Sequence, residues 1–289
     1  MRPHADPSTV KRRSAGALAA LLLAAGALLA FAELAGEVVE GDTRAFDEAV
    51  LLSLRTAADT ADPVGPQWVE AAFRDLTTLG GTSVLTVVTL ATLGYLLLGN
   101  KRATAALVAF AVLGGTLLST LLKAGFERPR PDLVAHLVEV SSQSFPSGHA
   151  MLSTVTWLTL GTLLATVQPT LRLKAYVLGV GITIALLVGV SRVYLGVHWP
   201  TDVIAGWCIG AAWALLCWLA AGAGRGAGFS VIRLFRRFAR ITEYPKTRHQ
   251  FGGLAAGQPV TSPVLLRGAA PAPRSPDPAR ARCRSRQCP

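Results

Sequence analysis

Charged residues are few in this chain: Asp, Glu, Lys and Arg make up 16% of its 289 residues, against 51% apolar ones. That balance, with the apolar residues unevenly spread, speaks against a large soluble core and for a membrane protein. Acidic residues are shortest in the last stretch: residues 225–289 hold 13 Lys or Arg and 2 Asp or Glu, whereas residues 1–224 hold 15 of each. The net charge of +11 therefore belongs to the tail and gives the body no nucleic-acid-binding character. Cysteine is scarce too. Cys208 and Cys217 lie in an apolar run, Cys283 and Cys288 in the basic tail. They indicate no disulfide framework, and Cys-x4-Cys is poor metal-site spacing, so four thiols are expected.

What the chain does have is long apolar runs. Residues 16–34 are apolar apart from Glu33 and follow Lys11-Arg12-Arg13, and a helix needs about 20 such residues to cross a bilayer. They read as a first transmembrane helix with residues 1–15 cytoplasmic. The alternative is a signal peptide ending near Ala30-Phe31-Ala32, which leaves the orientation of everything later unchanged. Residues 35–81 are acidic and read as an extracytoplasmic segment. Within it Phe46, Val50, Leu51 and Leu54, and then Val69, Ala72, Phe73, Leu76 and Leu79, recur at helical spacing. They predict two amphipathic helices, broken near Asp62-Pro63, that cover the bundle.

Five more apolar runs follow, at 82–98, 103–122, 150–167, 175–190 and 203–221, within a core of residues 82–224. The connectors Asn100-Lys101-Arg102 and Arg172 with Lys174 are short and basic, which assigns them to the cytoplasmic side. The fold class expected is all-α: a polytopic bundle of six transmembrane helices, both termini cytoplasmic, in a bacterial inner (plasma) membrane. Gly114-Gly115, Gly181, Ala185 and Gly189 suit close helix approach. Trp68, Trp199 and Trp207 suit either interface anchoring or packing. Residues 225–244 set Val231, Leu234, Phe235, Phe238 and Ile241 against Arg233, Arg236, Arg237 and Arg240, a pattern for a helix lying on the anionic inner leaflet. Residues 245–289 have no periodicity and read as a disordered cytoplasmic tail.

That topology, drawn without reference to any motif, brings three clusters to the outer face. One is Lys123 to Pro131 after the third span, one is Phe145-Pro146-Ser147-Gly148-His149 before the fourth, and one is Ser191-Arg192 to Asp202 between the fifth and sixth. Pro200 suits the first position of a helix, so Asp202 falls in its first turn, one turn from His198. There its carboxylate would take the imidazole N–H and leave the other nitrogen free as nucleophile or base. Lys123, Arg130 and Arg192 together suit phosphoryl transfer, since fixed cations stabilise charge on the non-bridging oxygens and arginine offers two-pronged contact. Ser147 and the amides of Gly148 and His149 would add donors at a helix N-terminus. Carboxylates are sparse in these loops: Asp202 stands in the motif and Glu127, Asp132 and Glu139 are scattered. No metal and no cofactor is expected, the cations supplying the charge a metal would bring.

These residues resemble the type 2 phosphatidic acid phosphatase and vanadium haloperoxidase superfamily. Its signature is Lys, six residues, Arg-Pro; then Pro-Ser-Gly-His; then Ser-Arg, five residues, His, three residues, Asp. The chain carries Lys123 with Arg130-Pro131, Pro146-Ser147-Gly148-His149, and Ser191-Arg192 with His198 and Asp202. The resemblance spans residues 82–221 and implies that His198 attacks phosphorus to form a phosphohistidine while Asp202 orients it. It further implies that His149 protonates the leaving oxygen and then activates water, and that Lys123, Arg130, Ser147, Gly148 and Arg192 hold the phosphate. The expected activity is hydrolysis of a lipid phosphate monoester or diphosphate of the phosphatidate, phosphatidylglycerol phosphate or undecaprenyl diphosphate type. A vanadate-dependent haloperoxidase and a non-catalytic lipid-phosphate binder are the alternatives. The first is known from soluble proteins, and the second has no need of both histidines and the aspartate. The expected partners are the lipid substrate and the bilayer, with no nucleic acid.

Overall fold

The computed structural model describes residues 7–140 and 142–223, with side chains over residues 16–140 and 142–221. The basic helix and the tail expected beyond residue 224, with Cys283 and Cys288, lie outside the described residues. Among the described residues there are eight helices and no strand: α1 (Pro7–Glu40), α2 (Arg44–Ser53), α3 (Gln67–Thr78), α4 (Thr82–Leu98), α5 (Arg102–Phe126), α6 (Gly148–Val167), α7 (Leu171–Tyr194) and α8 (Pro200–Ala223). Helices α1, α5, α6, α7 and α8 are each long and apolar enough to cross a membrane. Helix α4 has 17 residues, about 25 Å at 1.5 Å per residue, and reaches spanning length only with α3, from which it is bent by 45°. The polytopic all-α class expected from the apolar runs is the one observed, with five spans, or six when the bent pair counts as one.

The helices overrun the apolar runs that announce them, and the overrun is where the polar residues of interest lie. Helix α5 continues past residue 122 to include Lys123, α7 continues past 190 to include Ser191 and Arg192, and α8 starts at Pro200 to include Asp202. A polar residue in a terminal turn interrupts hydropathy without interrupting backbone hydrogen bonding. For the same reason α1 runs through Glu33 and Glu37 to Glu40 and stops at Gly41, whose φ of 88° is in the left-handed region. Arg172 and Lys174, expected in a connector, sit in the first turn of α7, and Lys174 is buried.

Helix α6 packs between α7 and α8, while α1 lies against α8 and α4 against α5. Close approach is set by small residues. A Cβ on Gly206 would stand 2.7 Å from the Ser147 carbonyl oxygen, and one on Gly210 would stand 2.7 Å from that of Met151. Helix α8 therefore rests on the backbone of α6. Gly114 and Gly189 make room instead for the rings of Trp213 and Trp207, whose indole N–H groups donate to the carbonyls of Ala111 and Ala185. Of the three tryptophans named from sequence, Trp199 and Trp207 pack inward and Trp68 is exposed.

The two amphipathic helices predicted around Asp62-Pro63 are α2 and α3, and they cover one end of the bundle. Leu51 is fully buried with Val134, Ala150, Val193, Trp199 and Val203. Val69 and Phe73 of α3 pack on Tyr194, Leu195 and Val197, with Phe73 and Tyr194 stacked at 4.1 Å. The buried face of α2 differs from the expected one in a single place: Phe46 is 52% exposed, and Asp47 takes the buried position one turn before Leu51. A second aromatic cluster lies beneath the loop that leads into α6. Phe145, fully buried, stacks on Phe31 at 5.9 Å and meets Phe126 edge-on at 4.8 Å. Full burial of such a ring is worth roughly 1.5–3 kcal/mol, and here it fixes the chain on both sides, at Ser144 and Ser147.

Candidate active site

Four helix ends meet under this cover: the C-terminal turns of α5 and α7, which carry Lys123 and Arg192, and the N-terminal turns of α6 and α8, which carry Gly148-His149 and Asp202. Helix α5 ends at Glu127, which takes a left-handed φ of 48°. The prolines of Arg128-Pro129-Arg130-Pro131 then prevent its resumption. Between α7 and α8 the turn at Gly196 has φ 75°, and a Cβ there would meet the Ala135 carbonyl and the Arg55 guanidinium at 2.7 Å. Only glycine fits this turn, and it delivers His198 two residues later.

His198 is 1% exposed. Its Nδ1 lies 3.3 Å from Asp202 Oδ2 and 3.3 Å from the Ser144 hydroxyl, and its Nε2 lies 3.2 Å from Nη1 of Arg130. A guanidinium has donors only, so Nε2 accepts, and the ring proton sits on Nδ1 facing the carboxylate. Burial holds the imidazole pKa down at about 3, against the opposing pull of Asp202, so His198 is neutral with its lone pair on Nε2. Arg130 is fixed by the carbonyls of Ser142 at 2.8 Å and Val197 at 2.5 Å. Burial lowers its pKa as well, an effect partly offset by the charge of Asp202.

Asp202 is fully buried, and both of its oxygens are engaged. Oδ2 accepts the Trp199 amide at 2.9 Å and the Ser144 hydroxyl in addition to facing His198, while Oδ1 accepts Nη1 of Arg128 at 2.6 Å. The other arm of Arg128 donates to Asp47 at 2.8 Å. Breaking such a buried charge group by deleting one member typically costs about 3–5 kcal/mol.

The remaining residues singled out from sequence surround the histidine. Lys123 donates to the Gln143 carbonyl and lies 3.4 Å from the Ser142 hydroxyl. A Cβ on Gly148 would be 3.5 Å from the Lys123 side chain. Ser147, fully buried, caps α6 by accepting the Ala150 N–H at 3.5 Å, which leaves its own hydroxyl proton free to donate. His149 makes no side-chain hydrogen bond among the described residues and lies in the field of the cations Arg192, Arg130 and Lys123. Arg192 is 3% exposed and donates Nη1 to the Thr77 hydroxyl at 2.9 Å, while its Nε is buried without a partner among the described residues. His136 stays apart, its Nε2 2.7 Å from the Pro131 carbonyl.

Sequence reasoning missed Ser144, Arg128, Asp47 and Thr77. Two of these left a signal. Arg128-Pro129 repeats the dipeptide Arg130-Pro131 that follows it, and Asp47 puts a carboxylate on the buried stripe of an amphipathic helix, where an ionised group needs a partner. Ser144 and Thr77 left none, since a serine or threonine in a polar stretch is ordinary.

With that geometry in place, the relatives are informative. The PAP2 superfamily model matches residues 103–225. Phosphatidylglycerophosphatase B of Bacillus subtilis strain 168 is 37% identical over 145 residues, which cover 50% of this chain and 70% of that protein. The chain belongs to the PAP2 superfamily. Its resemblance to undecaprenyl-diphosphatase of Sulfolobus acidocaldarius is local, 45% identity over 67 residues, or 23% of this chain and 28% of that protein. Among solved structures, the transmembrane PAP2-type phosphatidylglycerolphosphate phosphatase from Bacillus subtilis superposes with a TM-score of 0.62 at 29% identity, over 71% of this chain and 98% of that one. This chain is thus a membrane member of a family whose named relatives are lipid phosphatases. The PAP2 match begins at residue 103, so Asp47 and Thr77 reach the site from a part of the chain that precedes it.

Proposed function

We propose that this membrane PAP2 protein hydrolyses a lipid phosphate monoester or diphosphate at the outer face of a bacterial inner membrane, through a phosphohistidine on His198 and without a metal. The observation that carries the reading is the state of His198: a buried neutral imidazole, protonated on Nδ1 toward Asp202, with Nε2 facing the guanidinium of Arg130. A phosphoryl group drawn to Arg130 meets that lone pair.

In this reading Nε2 attacks phosphorus, and the bond to the lipid oxygen breaks as His149 gives that oxygen its proton. The leaving group is a lipid alcohol from a monoester, or a lipid monophosphate from a diphosphate. His149, now neutral, takes a proton from water, which attacks the phosphohistidine; inorganic phosphate leaves and Nε2 regains its lone pair. Lys123, Arg130 and Arg192, with the donors of Ser147 and Gly148, balance the charge on the transferring group where burial weakens screening.

The orientation follows from charge. Lys101 precedes α5 and Arg102 opens it, and Lys123 lies near its other end, about 30 Å away at 1.5 Å per residue. Basic short loops favour the cytoplasm, so the opposite end, with the site, faces outward, and both termini are cytoplasmic. The test is phosphate release in detergent with excess chelator from phosphatidate, phosphatidylglycerol phosphate, undecaprenyl diphosphate and a lipid A phosphate. The expected result is turnover of at least one of them, unchanged by the chelator. Turnover that the chelator abolishes and a divalent cation restores would contradict the metal-free reading.

A further inference from the structure

Asp47 is fully buried in α2, a helix outside the region matched to the family. Both of its oxygens are engaged. Oδ1 accepts the Thr201 N–H at 2.9 Å, and Oδ2 accepts the Thr201 hydroxyl at 2.7 Å and Nη2 of Arg128 at 2.8 Å. Nη1 of the same guanidinium donates to Asp202 Oδ1 at 2.6 Å. One arginine is thus shared between two buried carboxylates, and the second of these faces His198.

The sharing has an electrostatic consequence. An Asp202–Arg128 pair alone would be neutral, and the guanidinium would offset part of the carboxylate's field at the imidazole. With Asp47 the group carries a net charge of −1. When Nε2 bonds to phosphorus the ring becomes cationic, and a net negative group behind Nδ1 stabilises that charge in a buried, weakly screened place. The sharing has a geometric consequence too, because a planar guanidinium held at Nη2 by Asp47 keeps its Nη1 on Asp202. We infer that Asp47 is a positioning residue for the reaction, acting through Arg128 to keep Asp202 aimed at His198 and anionic toward it as charge develops on the ring. The inference rests on the reading of His198 as nucleophile.

The test compares Asp47→Asn, which keeps the shape and removes the charge, with Thr201→Val, which removes hydroxyl contacts of the same anchor and leaves Arg128 between its two carboxylates. His198→Ala is the control. For each, kcat and KM on a lipid phosphate, inhibition by inorganic phosphate, and thermal unfolding in detergent are measured. Asp47→Asn is expected to lower kcat by about tenfold or more while KM and phosphate inhibition stay within about twofold, since Lys123, Arg130 and Arg192 are untouched. Thr201→Val is expected to keep kcat within about threefold. A wild-type kcat in Asp47→Asn, a loss confined to KM, or an equal loss in Thr201→Val overturns the inference. If Asp47→Asn fails to fold, Arg128→Lys serves instead, keeping the charge but unable to bridge both carboxylates. The same selective loss of kcat is expected, and a wild-type kcat would overturn the inference. Turnover retained in His198→Ala would instead remove the nucleophile reading. An inactive His198→Ala beside a fully active Asp47→Asn would remove the role of Asp47 alone.

Discussion

The backbone N–H of Ser147 donates to the carbonyl oxygen of Asp202 at 2.9 Å. The turn that carries His149 and the turn that carries Asp202 are therefore joined directly, and the separation of the two histidines is set by main chain rather than by side chains. The bond forms because α8 presents Gly206 to that same turn of α6.

Gly206→Ala would drive a Cβ to 2.7 Å from the Ser147 carbonyl, a backbone atom that has little room to retreat. Overpacking of this kind costs about 1–3 kcal/mol. The variant should unfold at a lower temperature in detergent and lose activity together with it. An unfolding temperature and kcat equal to wild type would contradict the main-chain junction as the source of the geometry.

Arg192 combines one anchored nitrogen, Nη1 on Thr77, with a buried Nε that has no partner among the described residues. Arg192→Lys keeps the charge and loses the planar fork. Loss of a preorganised donor at a transition state is worth about 100-fold in kcat, and hydrolysis should fall by that order. Unchanged kinetics would argue that the guanidinium does not touch the phosphoryl group.

The pH dependence has a defined sign. Burial holds the His198 pKa at about 3 in the native protein, whereas an unfolded histidine titrates near 6.5. Between those values the unfolded chain takes up a proton that the native one does not, so His198 makes stability fall as pH drops below about 6.5. His198→Gln should therefore flatten the stability profile between about pH 6.5 and pH 4, read as unfolding temperature in detergent. In the wild type, kcat/KM should show no acid limb from His198 above about pH 4. Equal acid sensitivity in the two proteins would contradict the burial of a neutral imidazole.

Much of this architecture was legible in the chain. The long apolar runs gave the spans, since no other use of runs of 16 to 20 mostly apolar residues is as favourable, and the period of Leu51, Leu54, Val69 and Phe73 gave the cover. The ends of the helices were less legible, because Lys123, Arg192 and Asp202 interrupt hydropathy while the helix runs on. The supports of the site were the least legible. Thr201 and Asp47 are 154 residues apart, and Arg192 and Thr77 are 115 apart. No spacing rule links residues at such distances; only the packing of α2 and α3 over α7 and α8 joins them. Asp47 was hidden further by Phe46 beside it, whose ring fitted the apolar period better than a carboxylate did.

The most direct test of the central claim is to mix wild type and His198→Ala with a lipid carrying a labelled terminal phosphate, quench within one turnover in alkali, and map the label. The account predicts a phosphate that is stable in alkali and labile in acid, located on the peptide containing His198. His198→Ala should show no label and no turnover while unfolding at a temperature close to that of wild type. Hydrolysis by folded His198→Ala at the wild-type rate, or label on another residue, would contradict it.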